Sequence, residues 1–166
     1  MIQVEVPTYA PKATSGNECN GEIAMSIPTV LVVDDDEMDL LLARVFLDKA
    51  GIATEVADNA ATALAVCAQR AFDAVVLDGC LGGIDGCDLC RTLRAHPALK
   101  DTPILMLTGN EDPSYERRAF DAGVDDFLVK TGNWDLVVSR VRRLLAGSPC
   151  NSERRQARSP REPNLQ

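Results

Sequence analysis

The stretch Ala74-Val75-Val76-Leu77-Asp78-Gly79-Cys80 decides how the rest of this sequence is interpreted. Four apolar residues, two of them β-branched, run directly into a carboxylate and a glycine, a pattern that predicts a buried strand ending at Asp78. In an open α/β sheet, ligands bind in the crevice at the carboxyl ends of the strands. Asp78 is therefore the first candidate reactive residue.

Four further segments have strand patterns. Val30-Leu31-Val32-Val33 and Ile104-Leu105-Met106-Leu107 are continuous apolar runs, as expected of strands in a parallel sheet that is covered on both faces. Residues 54–57 alternate in the way a strand near the sheet edge does, and Asp126–Val129 forms the last predicted strand.

Helical patterns lie between these strands and after the last one. Apolar residues recur at helical spacing after Asp36, Asn59 is placed to cap a helix over residues 60–70, and Pro113 suits the first turn of another. Helices are also predicted over residues 87–95 and 134–146, the latter with a core-facing stripe of Trp134, Val137, Val138, Val141, Leu144 and Leu145. Five strands alternating with five helices predict an α/β fold with a doubly wound five-stranded parallel sheet and helices on both faces.

The length of 166 residues and the composition, 46% hydrophobic and 25% charged, suit one globular domain with tails. Residues 1–27 mix Pro and Gly with small polar residues and predict a flexible leader. Residues 28–147 carry all the periodic patterns and form the predicted domain. Residues 148–166 are rich in Ser, Pro and Arg and predict a disordered polar tail, so no output domain is expected.

The net charge of -8 argues against a nucleic-acid-binding or anionic-membrane surface, because both call for clustered Lys and Arg. No apolar run approaches the roughly 20 residues that span a bilayer, and no secretory signal is present, so a cytoplasmic location is expected. The six cysteines are then expected to be reduced thiols. The pair Cys87 and Cys90 opens a helix and the chain has one histidine, His96, so packing is favoured over redox or zinc chemistry.

Polar side chains follow four of the predicted strands, and parallel strands bring their carboxyl ends to the same edge of the sheet. Clustered carboxylates suit Mg²⁺, and a carboxylate can also act as a nucleophile toward phosphorus. A hydroxyl and an ammonium group placed opposite can hold phosphoryl oxygens. The residues of this set are Asp34, Asp35, Asp36, Asp78, Thr108 and Lys130.

With these motifs in this order, residues 29 to about 146 resemble the receiver domain of response regulators in two-component signalling, of the kind found in single-domain chemotaxis regulators. The resemblance implies a flavodoxin-like strand order of 2-1-3-4-5. It rests on Val30 to Glu37, on Val75-Val76-Leu77-Asp78 with Gly82 and Asp85-Gly86, on Leu105-Met106-Leu107-Thr108-Gly109, and on Asp126-Phe127-Leu128-Val129-Lys130.

The resemblance also implies a role for each matching residue. Asp78 would accept a phosphoryl group from a phosphohistidine of a sensor histidine kinase or a histidine phosphotransfer protein. Asp34, Asp35, Asp78 and the backbone carbonyl of Cys80 would bind Mg²⁺. Thr108 and Lys130 would contact the phosphoryl group, and Thr108 with Phe127 would form the switch.

Such a domain is a phosphoacceptor in a phosphorelay and not a turnover enzyme. Its output would be the docking of a downstream protein target on the face formed by the fourth helix, the fifth strand and the fifth helix, or onward phosphotransfer. A monomer or a phosphorylation-dependent dimer is expected.

The sequence departs from the family pattern at several positions beside the site. Thr131 follows Lys130 where Pro is usual, and the isomer of that peptide bond is left open. Gly82 stands where Pro is also usual, and with Gly83 it is expected to loosen the loop. Cys80 and Asn110 occupy positions that tune the lifetime of the phosphoryl group in this family.

Two alternatives remain. A haloacid-dehalogenase-type phosphatase would use Asp34 and Asp36 as an Asp-x-Asp pair with Thr108 and Lys130. This interpretation leaves Asp78 unexplained, and no cap domain is expected from the sequence. A non-phosphorylated interaction module would not need the complete acid set. Asp36 and Glu37 are also compatible with simple placement in the first turn of a helix.

Overall fold

The strands of the main sheet alternate with helices from Thr29 onward in this computed structural model, which describes residues 26–147. The strands are β1 (Thr29–Val33), β2 (Ala53–Ala57), β3 (Ala74–Asp78), β4 (Cys80–Leu81), β5 (Ile84–Asp85), β6 (Ile104–Thr108) and β7 (Asp126–Val129). The helices are α1 (Glu37–Lys49), α2 (Ala60–Gln69), α3 (Gly86–Ala95), α4 (Pro113–Asp121) and α5 (Trp134–Gly147). The predicted tail and nearly all of the predicted leader lie outside the described residues.

The main sheet is parallel and has the strand order β2-β1-β3-β6-β7. When its five strands are counted along the chain, this is the predicted order 2-1-3-4-5, and the predicted fold class is confirmed. Strand β3 lies in the centre, where all five of its residues are buried, and it pairs with β1 and β6. The residue that ends this central strand is Asp78.

Helices cover both faces of the sheet, which explains the continuous apolar runs. Along β1, Leu31 and Val33 pack into one core cluster beneath α2, α3 and α4, while Val30 and Val32 pack into a second cluster beneath α1 and α5. The second cluster includes the predicted stripe of α5, with Trp134, Val137, Val138 and Val141 buried and Leu144 and Leu145 packed against it. Among the described helices, none has the length and apolar character needed to cross a membrane.

Local capping signals place the helix ends close to where the sequence predicts them. The Asn59 side chain accepts a hydrogen bond from the Thr62 amide at 2.8 Å and caps α2. Pro113 is the first residue of α4, as predicted. Proline suits this position because the N–H that it lacks would have no partner within the helix. Gly51, with φ +78°, follows the end of α1.

The segment between β3 and α3 is more ordered than the sequence suggests. Strands β4 and β5 pair antiparallel, with Leu81 opposite Ile84, so Gly82 and Gly83 form a two-residue turn. Both glycines have positive φ, +53° and +88°, as the commonest tight hairpin turn requires. These glycines therefore shape a tight hairpin, where the sequence predicts only a loosened loop.

The described cysteines agree with the predicted packing role. Cys67, Cys87 and Cys90 are buried free thiols in the first core cluster, and Cys80 is an exposed free thiol. Burial raises the pKa of Cys67 and of Cys90 to about 11, and it also raises the pKa of Cys87. The remaining cysteines, Cys19 and Cys150, lie outside the described residues.

Alkylation at pH 8 is expected to modify Cys80 well before Cys67 and Cys90, as measured by peptide mapping with mass spectrometry. At a pKa of about 11, roughly one thiol in a thousand is ionised at that pH, and burial also blocks the reagent. Denaturant should make all of these thiols react. A Cys87–Cys90 disulfide that forms reversibly under mild oxidation would contradict the packing role.

Replacement of Leu105 by alanine is expected to lower the free energy of unfolding by about 2–5 kcal/mol, because it leaves a cavity in the second core cluster. Leu105 is fully buried on β6, whereas Leu41 on α1 is 55% exposed. Leu41→Ala is the matched control and should change the free energy by less than about 0.5 kcal/mol. Chemical denaturation of both variants measures the difference, and equal effects would contradict this account of the core.

Candidate functional site

The carboxyl ends of four strands bring the predicted polar residues to one edge of the sheet. Asp34 follows β1, Asp78 ends β3, Thr108 ends β6 and Lys130 follows β7. The Lys130 ammonium nitrogen lies 2.7 Å from Asp34 Oδ2 and 3.1 Å from Asp78 Oδ1. Residues 96 positions apart in the chain thus meet because the parallel strands all end at the same edge of the sheet.

Three carboxylates form a cluster that could hold a metal ion. Asp34, Asp35 and Asp78 each offer one oxygen, and these atoms all lie within 4.8 Å of one another. Burial raises the pKa of Asp34. The pKa of Asp78 is also raised, mainly by burial and to a smaller extent by the negative charge of Asp34. Because hard carboxylate oxygens are the ligands that Mg²⁺ prefers, the donor set fits this cation, which would also offset the repulsion between the carboxylates.

Hydrogen bonds from the backbone orient two of these acids. The Asp36 amide donates to Asp34 Oδ1 at 2.9 Å, and the Gly82 amide donates to Asp35 Oδ2 at 2.9 Å. The β4–β5 hairpin therefore fixes Asp35 through the glycine of its turn. No local sequence pattern indicates this contact, since it joins residues 47 positions apart.

Lys130 contacts a third carboxylate that the sequence does not single out. Asp39, in the first turn of α1, accepts a hydrogen bond from the Lys130 ammonium at 2.9 Å. Burial alone would lower the pKa of Lys130, but the hydrogen bonds to Asp34 and Asp39 and the charges of Asp34 and Asp78 raise it overall. The side chain is therefore a stable cation in the middle of an acidic group.

Thr108 lies directly against the residue that follows Asp78. This residue is 3% exposed, and its hydroxyl oxygen accepts a hydrogen bond from the Asn110 amide at 3.0 Å. A Cβ atom built on Gly79 would lie 2.5 Å from Thr108 Oγ1 and 2.7 Å from Thr108 Cβ. Only glycine therefore lets the threonine side chain sit this close to the end of β3.

Tyr115 on α4 connects the same glycine to the predicted aromatic switch residue. Its hydroxyl donates to the Gly79 carbonyl at 2.6 Å, and its ring centroid lies 6.3 Å from that of the half-buried Phe127. Burial raises the pKa of the Tyr115 hydroxyl, so this group remains a donor at neutral pH. Nearby, Arg118 forms a 2.5 Å ion pair with Asp85 and ties α4 to the hairpin. The sequence does not predict these contacts.

The remaining predicted residues lie beside this cluster. Cys80 is exposed at the start of β4 and pairs with Asp85 across the hairpin. Asp36 uses its carboxylate to cap α1, accepting from the amides of Met38 and Asp39, so the dehalogenase-type alternative loses the second acid of its pair. The Lys130–Thr131 peptide bond is trans.

Replacement of Gly79 by alanine is expected to lower the free energy of unfolding by about 1–3 kcal/mol, because the new methyl group overlaps the Thr108 side chain. Gly109 is the matched control, since a Cβ there has no neighbour within 4 Å and its φ is not positive. Gly109→Ala should change the free energy by less than about 0.5 kcal/mol. Chemical denaturation measures both, and a Gly79→Ala protein as stable as the wild type would contradict the close packing of Thr108.

Comparison with known proteins agrees with this geometry. A family model, the response regulator receiver domain, matches residues 30–142. The transcriptional regulatory protein ResD of Bacillus subtilis is 36% identical over 116 residues, which are 70% of this chain and 47% of ResD. The chain thus spans about half the length of the curated relatives it matches.

Solved structures give the same assignment. A putative response regulator from Chloroflexus aurantiacus has 37% sequence identity and a TM-score of 0.69, with 73% of this chain and 99% of that chain covered. The chemotaxis response regulator CheY4 of Vibrio cholerae has 28% identity and a TM-score of 0.68, with 72% and 99% covered. The shared fold, the family match and the strand-end cluster lead to one conclusion: this chain belongs to the response regulator receiver domain family of two-component signalling.

Proposed function

We propose that Asp78 accepts a phosphoryl group from a phosphohistidine of a histidine kinase or a histidine phosphotransfer protein. The observation that carries this proposal is the position of the Asp78 carboxylate at the end of the central strand, 3.1 Å from the Lys130 ammonium and within the carboxylate cluster. The Asp78 side chain is 8% exposed and lies at the carboxyl edge of the sheet, where ligands bind in open α/β folds. Asp78 is the one member of the cluster that ends the buried strand β3.

The proposed reaction is a transfer from nitrogen to oxygen. A carboxylate oxygen of Asp78 donates an electron pair to phosphorus, and a P–O bond forms as the P–N bond to the donor imidazole breaks. The imidazole leaves with that electron pair and takes up a proton, and the product is an aspartyl phosphate. Lys130 supplies positive charge to the transferred group, and Thr108 offers a hydroxyl as a hydrogen-bond donor, since charge neutralisation and positioning provide most of the catalysis in such transfers.

Asp34, Asp35 and Asp78, with the backbone carbonyl of Cys80, would hold Mg²⁺. When bound, the cation neutralises negative charge on the phosphoryl oxygens and on the carboxylates around them. The fit rests on the three carboxylate oxygens within 4.8 Å of one another. Asp35 contributes the most accessible of the three, because Asp34 and Asp78 are nearly buried and Asp35 is exposed.

Thr108 and Phe127 are proposed as the switch that transmits phosphorylation to a protein-docking face on α4, β7 and α5. Thr108 packs on Gly79, the Gly79 carbonyl binds Tyr115 on α4, and Tyr115 packs on Phe127. A movement of Thr108 toward a phosphoryl group would therefore disturb contacts that hold α4. The exposed Phe120 of α4 offers an apolar contact to a downstream target, and Arg143 of α5, which pairs with Asp126, keeps 63% of its side chain exposed.

The non-enzymatic role, the location, the partners and the oligomeric state of the domain remain predictions. Its role would be that of a phosphoacceptor that assists its own phosphorylation and dephosphorylation, not of a turnover enzyme. A cytoplasmic location, a protein target rather than nucleic acid, and a monomer or a phosphorylation-dependent dimer follow the expectations from the sequence. The names of relatives such as ResD describe those longer proteins, about half of whose length this chain matches.

Incubation with acetyl phosphate or a phosphorylated histidine kinase is expected to label the wild-type protein in the presence of Mg²⁺, with the label mapped to Asp78 by mass spectrometry. Asp78→Asn should reduce labelling by at least about a hundredfold, because an amide is a poor nucleophile toward phosphorus. Removal of Mg²⁺ with a chelator should reduce labelling in the same way. The label should be labile to hydroxylamine, as an acyl phosphate is.

Asp88→Asn is the matched control, because the Asp88 side chain is 70% exposed on α3 and, among the described residues, its carboxylate pairs only with its helix neighbour Arg91. This variant should be labelled like the wild type. Stable labelling of the Asp78→Asn protein would refute the assignment. Failure of the wild type both to be labelled and to bind Mg²⁺ would favour the non-phosphorylated interaction module.

A further inference from the structure

We infer that Asp39 is a positioning residue that holds the Lys130 ammonium beside Asp78, an inference that rests on the proposed phosphoryl transfer to Asp78. The geometry that points to this role is the three-way contact of Lys130 Nζ, at 2.7 Å from Asp34, 2.9 Å from Asp39 and 3.1 Å from Asp78. Asp39 is bound more closely than the proposed phosphoacceptor itself. It stands five positions after Asp34, on a different element from the other two acids.

Asp39 differs from the other partners of Lys130 because it has no part in the carboxylate cluster. That cluster consists of Asp34, Asp35 and Asp78 among the described residues. When Asp34 and Asp78 engage a cation and a phosphoryl group, their oxygens have other ligands to satisfy. Asp39 then remains as the carboxylate that can keep its hydrogen bond to the ammonium throughout the reaction.

The surroundings of Lys130 leave room for its side chain to move. A cavity of about 40 Å³ adjoins the lysine, with Thr131, Gly132, Trp134 and Val137 among its lining residues. This volume exceeds the roughly 10–15 Å³ that one water needs on the same kind of measure, so the space is large enough for an ammonium to shift. Without a bond to Asp39, which also lines the cavity, Lys130 could turn away from Asp78.

The backbone after Lys130 does little to prevent this movement. The Lys130 amide is anchored to the Thr108 carbonyl at 2.7 Å, but β7 ends at Val129. The chain then passes through Thr131 and Gly132, which has φ +75°, before α5 begins at Trp134. The side-chain bond to Asp39 in the first turn of α1 is therefore a restraint on the lysine that comes from outside the carboxylate cluster.

The position of Asp39 in the fold also keeps its charge in place. Carboxylates are stabilised in the first turn of a helix, where the partial positive charge of the helix N-terminus lies. The Asp39 side chain is 28% exposed and the Lys130 side chain is 25% exposed, so the pair is partly shielded from solvent. An anchored and partly shielded ion pair restrains geometry better than a pair between two long exposed side chains.

The test compares Asp39→Ala and Asp39→Asn in the phosphorylation of the full chain by acetyl phosphate in saturating Mg²⁺. The rate at saturating donor should fall by about ten- to a hundredfold in Asp39→Ala, because the lysine is no longer held over the reacting group. Asp39→Asn keeps an oxygen acceptor at a similar place, so its phosphorylation rate should be within about threefold of the wild-type rate. A small loss remains because a neutral acceptor forms a weaker hydrogen bond to the ammonium than a carboxylate does. Mg²⁺ affinity should be unchanged in both, measured by isothermal titration calorimetry.

Glu37→Ala is the matched control. It removes one negative charge from the same first turn of α1, and Glu37 has no contact with Lys130. This variant should be phosphorylated within about twofold of the wild type, because an exposed charge is screened by salt. Thermal unfolding of the variants shows whether any loss of rate comes from loss of folding.

The outcomes separate this inference from the proposed function. Phosphorylation of Asp39→Ala at the wild-type rate or faster, with Asp78 still labelled in the wild type, would overturn the role of Asp39 alone. A rate for Asp39→Asn no better than that for Asp39→Ala would also overturn positioning by a hydrogen bond. Absence of label on Asp78 in the wild type would overturn the proposed function and this inference together.

Discussion

The ion pairs of the Lys130 ammonium with Asp34 and Asp78 are the interaction on which the arrangement of the site depends. Asp34 and Asp78 are nearly buried, and two carboxylates brought together without a positive partner would repel each other and lose hydration. The Lys130 ammonium offsets the negative charge of both carboxylates. It lies at the end of β7, which β3 and β6 separate from β1. The order and register of the parallel sheet are therefore what make the acidic cluster possible, and the lysine makes it stable enough to persist.

Close backbone packing at Gly79 is the second constraint. The glycine leaves space for Thr108 on one side, and its carbonyl accepts the hydrogen bond of Tyr115. The amide of the same residue donates to the Leu107 carbonyl at 2.7 Å. Asp78 is thus one peptide bond away from a packed junction that includes β6 and α4. Packed junctions of this kind shift between discrete arrangements instead of deforming gradually.

Membership of the receiver family gives this geometry its context. Receivers occur in two-component signalling, and the relatives named here include a transcriptional regulatory protein and a chemotaxis regulator. Those proteins differ in what lies beyond the shared domain, so the family does not specify an output for this chain. Three contacts surround the carboxylate cluster in this chain: Asp39 beside the lysine, the Gly82–Gly83 hairpin on Asp35, and Tyr115 on Gly79.

The amino-acid sequence alone determined the five strands of the main sheet, the five helices and the polar residues at the strand ends. Apolar runs that stop at Asp34, Asp78, Thr108 and Lys130 predict strands, and parallel strands must gather their carboxyl ends at one edge, so these four residues follow from local pattern and a general rule of topology. Only the tertiary structure decided which side chains complete the site. Asp39 meets Lys130 across 91 positions, Tyr115 meets Gly79 across 36, and Gly82 meets Asp35 across 47. None of these contacts has a local signature, because each depends on the direction in which a helix or hairpin leaves the sheet and on the side chain that this direction brings within hydrogen-bonding distance.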